Sequence, residues 1–330
     1  MRKKPHDLQW LETLSKRKQL NEEQRWALQR SQKGFLGERQ MDKLVETFLP
    51  EITAIINDIT LKYQSTVVQI DKILLVGTIV YIIDMKFYQG NYTFQNNSWQ
   101  RNGKKLPTNI LEQLRRAVRV IENIFKENQI DLKVKGVLAF LNPESNIYVE
   151  DTVPEKVLAF NELPLWLLEL KKYSSDEHYL HWQSVLFQYQ INGYRTKRQL
   201  TLEEEKHLQK GICCPHCHQF NTWQNKHTVH CECGYIETKE VAYVRTICEF
   251  GVIFHNRNLR LGKLKEFFGE QVEPEYLRYI LKKHFVSVKH TPNRKLGHEN
   301  KGIVFEYWFA DRLDYFNQLD KRKFWKRANI

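Results

Sequence analysis

The first 212 residues contain no cysteine, and all six (Cys213, Cys214, Cys217, Cys231, Cys233 and Cys248) fall between 213 and 248. A disulfide framework would spread its cysteines along the chain; this clustering instead predicts a metal site in a reducing compartment, hence a cytoplasmic protein. Long apolar runs are also lacking. The longest, 73–83, is far short of the about 20 residues that span a bilayer, so no membrane partner is expected. The opening MRKKPHDLQW has basic residues but no apolar stretch behind them, and no secretory signal is read there. No internal repeat or low-complexity tract occurs. Negative charge is in deficit: 39 Asp and Glu face 51 Lys and Arg, a net charge of +12 that favours a polyanionic partner, nucleic acid or an anionic membrane surface.

What is present is apolar enough to pack. Hydrophobic residues make up 42% and aromatics 12%, which argues against disorder, and 330 residues predict two or three domains. Residues 1–33 are predicted to form one or two surface helices with a sparse apolar stripe (Leu8, Leu11, Leu14, Trp26). GERQMDKLVETFL sets Met41, Leu44, Val45, Phe48 and Leu49 along one helical face. Two strands follow within 66–87, then a polar Asn- and Gly-rich stretch, a helix over 109–127, strands at 133–141 and 156–160, and a closing helix at 163–170. This order predicts a mixed α/β sandwich. Residues 171–210 are expected to be a charged helical connector.

The segment VVQIDKILLVGTIVYIIDMKFYQG carries the sharpest geometric prediction. With Gly77-Thr78 as a two-residue loop, Val76 pairs with Ile79, and the same register sets Asp71 opposite Asp84 and Gln69 opposite Lys86, all on one face. Two opposed carboxylates in an otherwise apolar sheet need a compensating cation. A buried Asp–Lys pair would supply one, and Mg²⁺ or Mn²⁺ on an oxygen-rich site would supply more. A longer turn would shift this pairing.

The region resembles the nuclease-related domain family (NERD), a branch of the PD-(D/E)xK nuclease superfamily. The resemblance rests on GFLGERQ (34–40), VVQIDKILLV (67–76), YIIDMKFYQG (81–90), Trp99, LEQLRRAV (111–118) and VLAFNELPLWLLEL (157–170). It implies a restriction-endonuclease-like mixed sheet flanked by helices over 34–170. It also implies that Glu38, Asp71 and Asp84 gather Mg²⁺ or Mn²⁺, that Lys86 is the catalytic lysine, and that Gln69 and Gln113 line the cleft. Position 84 is Asp where relatives often carry Glu, and the superfamily pattern accepts both. Tyr88 and Trp99 are taken as packing residues, with nucleotide stacking as the alternative.

Cys214-x-x-Cys217, thirteen residues, then Cys231-x-Cys233-Gly234 predict a zinc ribbon over 211–240. Four thiolates leave no open position, so such a zinc is structural. His230 and Cys213 remain alternative ligands, because the second pair is tighter than the usual spacing. A redox pair would not explain the second pair, and Cys248 is read as a core residue. The remainder, 241–330, holds 18 Lys and Arg against 10 Asp and Glu. Two short helices around a turn, a basic loop and an aromatic strand suggest a small basic α/β domain, in one reading a winged helix-turn-helix and in the other a module with a solvated basic face. Arg278, Lys282, Lys283, Arg294 and Lys295 are its candidate nucleic-acid contacts.

The expectation is therefore a metal-dependent nuclease acting on DNA rather than RNA. The alternatives are a non-cleaving nucleic-acid-binding or regulatory protein that keeps the fold, and a subunit active only with a helicase or other partner in a defence or mobile-element assembly.

Overall fold

The computed structural model describes residues 2–49, 54–173, 179–191, 196–291 and 294–325, with the side chains of 179–180, 271, 289–291, 294–296 and 322–325 left outside. Two helices open the chain, α1 (His6–Arg17) and α2 (Glu22–Phe48). The chain divides into two compact units: Met1–Arg2 with Arg30–Tyr194, and Lys3–Gln29 with Arg195–Ile330.

Unit 1 is built on β1 (Ala54–Tyr63), β2 (Thr66–Val76), β3 (Ile79–Lys86), β4 (Gly90–Gln95), β5 (Ser98–Arg101), β6 (Lys104–Lys105), α3 (Ile110–Glu127), β7 (Lys133–Phe140), β8 (Ser145–Val149), β9 (Lys156–Leu158), α4 (Leu163–Leu170) and α5 (Tyr179–Gln188). The main sheet has the order β1-β2-β3-β7-β9. Its first three strands are antiparallel, and β7 and β9 run parallel to β3. Gly77, at φ 59°, makes the two-residue loop, and Val76 pairs with Ile79 as the register demanded.

Strand alternation then sorts the core. Ile73, Leu75, Val80, Ile82 and Leu138 face α3 and α5 (Leu111, Leu114, Ile121, Trp182, Leu186). Leu74, Val76, Ile83 and Met85 face α2 and α4 (Met41, Val45, Leu163, Leu167). Helix α3 starts where the Asn109 side chain accepts a hydrogen bond from the Leu111 N–H at 3.0 Å. This mixed sheet between helical layers is the α/β fold expected.

The polar 90–105 stretch, predicted without regular structure, forms a second sheet of order β6-β5-β4-β8. Its turns explain this: Asn96-Asn97 and Asn102-Gly103 each supply two successive positive φ angles, which tight hairpins need. Strand β1, for which no strand was predicted, pairs antiparallel with β2 along its length. Residues 171–210 are not one helical connector. Trp182, Val185 and Leu186 of α5 are buried in the core of unit 1, and the residues from 196 belong to unit 2.

Unit 2 contains α1, α6 (Leu202–Lys206), β10 (Thr222–Gln224), β11 (Thr228–Cys231), β12 (Ile236–Thr238), α7 (Lys239–Ile253), α8 (Leu261–Phe268), α9 (Pro274–His284), β13 (Ser287–Thr291), β14 (Arg294–His298), α10 (Phe305–Trp308) and α11 (Leu313–Trp325). One core joins Trp10, Leu11 and Leu14 of α1, Val229 of the ribbon, Ala242 and Ile247 of α7, Leu277 and Ile280 of α9, and Phe316 of α11. Helix α1 is therefore not a surface helix, and 211–240 and 241–330 are not separate domains. Only Trp26 of the predicted stripe is exposed.

From α7 the order is helix, a single β-bridge (Leu259 to His298), helices α8 and α9, then the antiparallel hairpin β13–β14. That is the order of a winged helix-turn-helix. The expected basic loop is this hairpin, and the expected aromatic strand is helix α10, because Phe305, Trp308 and Phe309 turn onto one core at helical spacing.

Candidate active site and metal centre

The β2–β3 ladder runs from Val76–Ile79 to Lys72–Ile83 and stops there, one step before the two aspartates. The cause is chemical. The Asp71 carboxylate accepts the Met85 backbone N–H at 2.8 Å, a donor that a continued ladder would have taken. Asp71 and Asp84 thus meet at the open end of the hairpin, on the sheet face covered by α3. Asp84 is buried and pairs with the Lys86 ammonium at 2.5 Å. Lys86 also donates to Gln113 Oε1 of α3 at 3.3 Å.

On the other side of Asp71 the β1–β2 ladder is also interrupted, between Asn57–Lys72 and Ile59–Ile70. The residue there is Asp58, at φ 51°. Asp58, Asp71 and Asp84 therefore stand at matching positions on three adjacent strands. Sequence reading missed Asp58, although a polar Asn-Asp pair inside an otherwise apolar strand was a visible signal. Gln69 does not reach Lys86. It sits opposite Thr60 and donates to Asp58 Oδ1 at 2.9 Å, exposed, so its link to the cluster runs through Asp58.

Glu38 comes from α2. Gly37 allows the approach: a Cβ there would lie 2.5 Å from the Phe87 ring, with Leu141 behind it. Glu38 and Asp42, one turn apart, share the Arg2 guanidinium at 3.0 and 2.9 Å. Asp42 also pairs with Lys72 at 2.7 Å, and Lys72 donates to Asn57. Trp99 is buried against Phe94 and Phe140, a packing role, and Tyr88 stacks on Tyr92 while remaining partly exposed.

At this end of the sheet Glu38 and Asp42 share Arg2, Asp42 pairs with Lys72, and Asp84 pairs with Lys86 next to Asp71, with Asp58 exposed at the edge. The protonation equilibria register this crowding of charge. Burial, then the charge of Asp84, pushes Asp71 up from 3.8 to about 7, against the Met85 N–H and Lys86. Burial also raises Asp84, with Lys86 opposing. Burial raises Glu38 as well, and Arg2 only partly offsets it. Burial disfavours the charge on Lys86, yet Asp84 and Asp71 outweigh it and its pKa lies above normal. A cavity of about 1080 Å³ lies elsewhere in unit 1, between α3, β7 and α4, but none of these carboxylates lines it. Size does not make it the site of chemistry.

In unit 2, Cys214, Cys217, Cys231 and Cys233 offer four sulfurs all within 4.8 Å of one another. The Cys214–Cys233 and Cys217–Cys231 separations are 3.7 and 3.5 Å. A tetrahedral zinc with bonds of about 2.3 Å separates its sulfurs by about 3.8 Å, so the four residues fit one ion. Neither alternative ligand joins them. His230 stacks on Trp223, its Nε2 beside Thr228 Oγ1 at 2.8 Å, and Cys213 is buried with its Sγ toward the Cys214 carbonyl. His216 Nδ1 lies 3.8 Å from Cys233 Sγ, flanking the four sulfurs. Cys248 is fully buried in the core.

On α9, Glu275, Arg278, Tyr279 and Lys282 are exposed at spacing i, i+3, i+4 and i+7, and Arg260 lines the same cleft as Arg278 and Lys282. Arg278 donates to Glu275 at 2.6 Å, an exposed i, i+3 pair that solvent screens. Lys283 is held more firmly, by both oxygens of the mostly buried Glu240 at 2.8 and 3.0 Å and beside the Tyr279 and Tyr315 rings, and it serves the fold. Arg294 and Lys295 fall on β14, and their side chains lie outside the described residues.

Among the described residues, no helix is long and apolar enough to cross a membrane. Comparison with known proteins adds the family. No curated protein matches the chain. A solved structure, protein VC1899 from Vibrio cholerae, matches with 14% identity and a TM-score of 0.23 over 51% of this chain. The chain spans 37% of that protein, and so low a score supports no inference. The model of the nuclease-related domain matches residues 33–141, which contain Glu38, Asp58, Asp71, Asp84, Lys86 and Gln113. Residues 33–141, within unit 1, are thus a nuclease-related domain, a family of PD-(D/E)xK-like fold.

Proposed function

We propose that unit 1 is a phosphodiesterase that uses Mg²⁺ or Mn²⁺ to cleave DNA. The observation that carries this reading is the pair Asp71 and Asp84 beside Lys86 at one end of the sheet: burial and the neighbouring Asp84 charge raise the Asp71 carboxyl, and a cation held by the pair would relieve that repulsion. The donors nearest Lys86 are all oxygen, which suits hard Mg²⁺ or Mn²⁺ rather than a thiophilic metal. Asp71 and Asp84 would hold the ion, with Glu38 as a third carboxylate. When bound, such an ion polarises a phosphate oxygen and acidifies water. Lys86 supplies the rest. With its pKa above normal it stays an ammonium ion at neutral pH, so it stabilises charge developing on the phosphoryl group and does not act as a base. Gln113 and Asp84 fix its position. Incubation of plasmid, linear duplex and single-stranded DNA tests the reading. Cleavage is expected with Mg²⁺ or Mn²⁺ and not in EDTA; cleavage unaffected by EDTA would count against a metal at these acids.

DNA is preferred to RNA because of α9. An exposed helical face carrying Arg278, Tyr279 and Lys282 suits the major groove of B-form DNA, which admits a helix, whereas A-form RNA closes that groove. Arg278→Ala and Lys282→Ala are each expected to weaken DNA binding and lower the slope of log affinity against log salt by about 1. Lys283→Ala should act otherwise, destabilising unit 2 by leaving the Glu240 pair incomplete. Titration at several salt concentrations beside a urea melt separates the two behaviours; equal salt slopes for all three variants would contradict the assignment. The four cysteines would hold a structural zinc that fixes the ribbon in the core of unit 2.

A further inference from the structure

We propose that Arg2 is a positioning residue for the metal-binding carboxylates, bracing helix α2 against strand β2 so that Glu38 is presented to Asp71 and Asp84. The proposal rests on the phosphodiesterase reading above and extends it to a residue outside every recognised motif.

The Arg2 side chain is 3% exposed and every hydrogen bond of its guanidinium serves this corner of the sheet. Nη1 donates to Glu38 Oε2 at 3.0 Å. Nε and Nη2 grip both oxygens of Asp42 at 2.9 and 3.1 Å, a fork-on-fork pair. Nη2 reaches across to the backbone carbonyl of Asp71 at 3.3 Å and toward Asn57 Oδ1 at 3.4 Å. One planar group thus ties two carboxylates of α2 to the main chain of the residue whose side chain lies beside Asp84. A point charge such as lysine could not make all of these contacts at once.

Charge decides which way Glu38 turns without this brace. Its neighbours Asp42 and Asp58 are like-charged, and Asp42 keeps Lys72 to itself at 2.7 Å. With Arg2 removed, Glu38 faces two carboxylates and no partner, and it is driven toward solvent. The metal then loses its third carboxylate. Arg2 is not among the leading charges felt by Asp71, so relief of direct repulsion on the ion is the smaller effect.

The test uses the full chain, tagged at its C-terminal end, with Mn²⁺ alone as probe and free Mn²⁺ read by electron paramagnetic resonance. Arg2→Ala is expected to weaken Mn²⁺ binding about tenfold, the scale of losing a group that orients a ligand. Glu38→Gln should weaken it to a similar extent, and the double variant should bind no more weakly than Glu38→Gln alone. Arg2→Lys should fall between wild type and Arg2→Ala, and it carries the test if Arg2→Ala fails to fold. Circular dichroism monitors folding. Wild-type affinity in the Arg2 variants, tighter binding, or losses that multiply in the double variant would overturn the proposal while leaving the phosphodiesterase reading intact. A wild type that binds no Mn²⁺ would overturn both.

Discussion

Asp71→Asn is expected to raise the melting temperature of the metal-free protein at about pH 8, and at the same time to abolish both stabilisation by Mn²⁺ and DNA cleavage. The sign follows from linkage. Burial and Asp84 lift the Asp71 carboxyl from 3.8 to about 7 in the folded state. A folded-state pKa above the unfolded value gives a contribution that is fully present below about 4 and is lost as pH rises through about 7. At neutral pH the metal-free protein therefore folds against the cost of a buried, repelled charge. Each pKa unit corresponds to about 1.4 kcal/mol. Asp71 is partly exposed and shares its proton balance with Asp84, so the net cost is a few kcal/mol at most. Asparagine has the same shape, retains an oxygen for the Met85 N–H and carries no charge, so it removes the cost. Mn²⁺ should in turn stabilise the wild type increasingly as pH rises, because it binds the ionised pair. Thermal melts from about pH 5 to 8, with and without Mn²⁺, measure this. A variant less stable than wild type at about pH 8 without metal, or stabilised equally by Mn²⁺, would contradict the account.

The second large effect is expected in unit 2. Removing zinc with a chelator, or replacing Cys217 by Ser, should collapse hydrogen-exchange protection over 212–253 while leaving β2 and β3 protected. The ribbon strands have only three or four residues each, too few to persist without the metal. Metal-free, the site is four crowded thiols. Burial first, then hydrogen bonds with the other thiols, pushes the Cys231 thiol up to about 12, so without the metal this thiol stays protonated at neutral pH. Zinc binding must then release protons, and acid must release zinc. The loss reaches beyond the ribbon because Val229 shares a core with Ile247 and Leu277. Several kcal/mol are at stake, since structural zinc binding is itself folding free energy. About one zinc per chain is expected by elemental analysis. Unchanged protection after the metal is stripped would remove the structural role.

Local chemistry was legible in the sequence; long-range pairing was not. Gly77-Thr78 as a two-residue loop set the β2–β3 register, because a longer turn would have shifted every pair. The point where the ladder ends was hidden, since it depends on the Asp71 side chain capturing the Met85 N–H. The cysteine spacing identified the four-sulfur cluster, and the positions of His230 and Cys213 became clear only once β11 placed the imidazole against Trp223. Lys282 and Lys283 are neighbours of one type, separated in role by Glu240, 43 positions away from Lys283. Arg2 and Asp42 are 40 positions apart, and no motif links them. The small sheet β4–β6 could have been read from Asn96-Asn97 and Asn102-Gly103, whose turn chemistry was visible beneath a polar composition.

The most direct test of the central claim is supercoiled plasmid cleavage in Mg²⁺ by the wild type, Asp84→Asn and Lys86→Ala, each verified as folded. The wild type is expected to cleave and both variants to lose cleavage by at least about a hundredfold, on the scale of removing a group that stabilises the transition state. Cleavage at the wild-type rate by either folded variant would place the chemistry elsewhere and contradict the account.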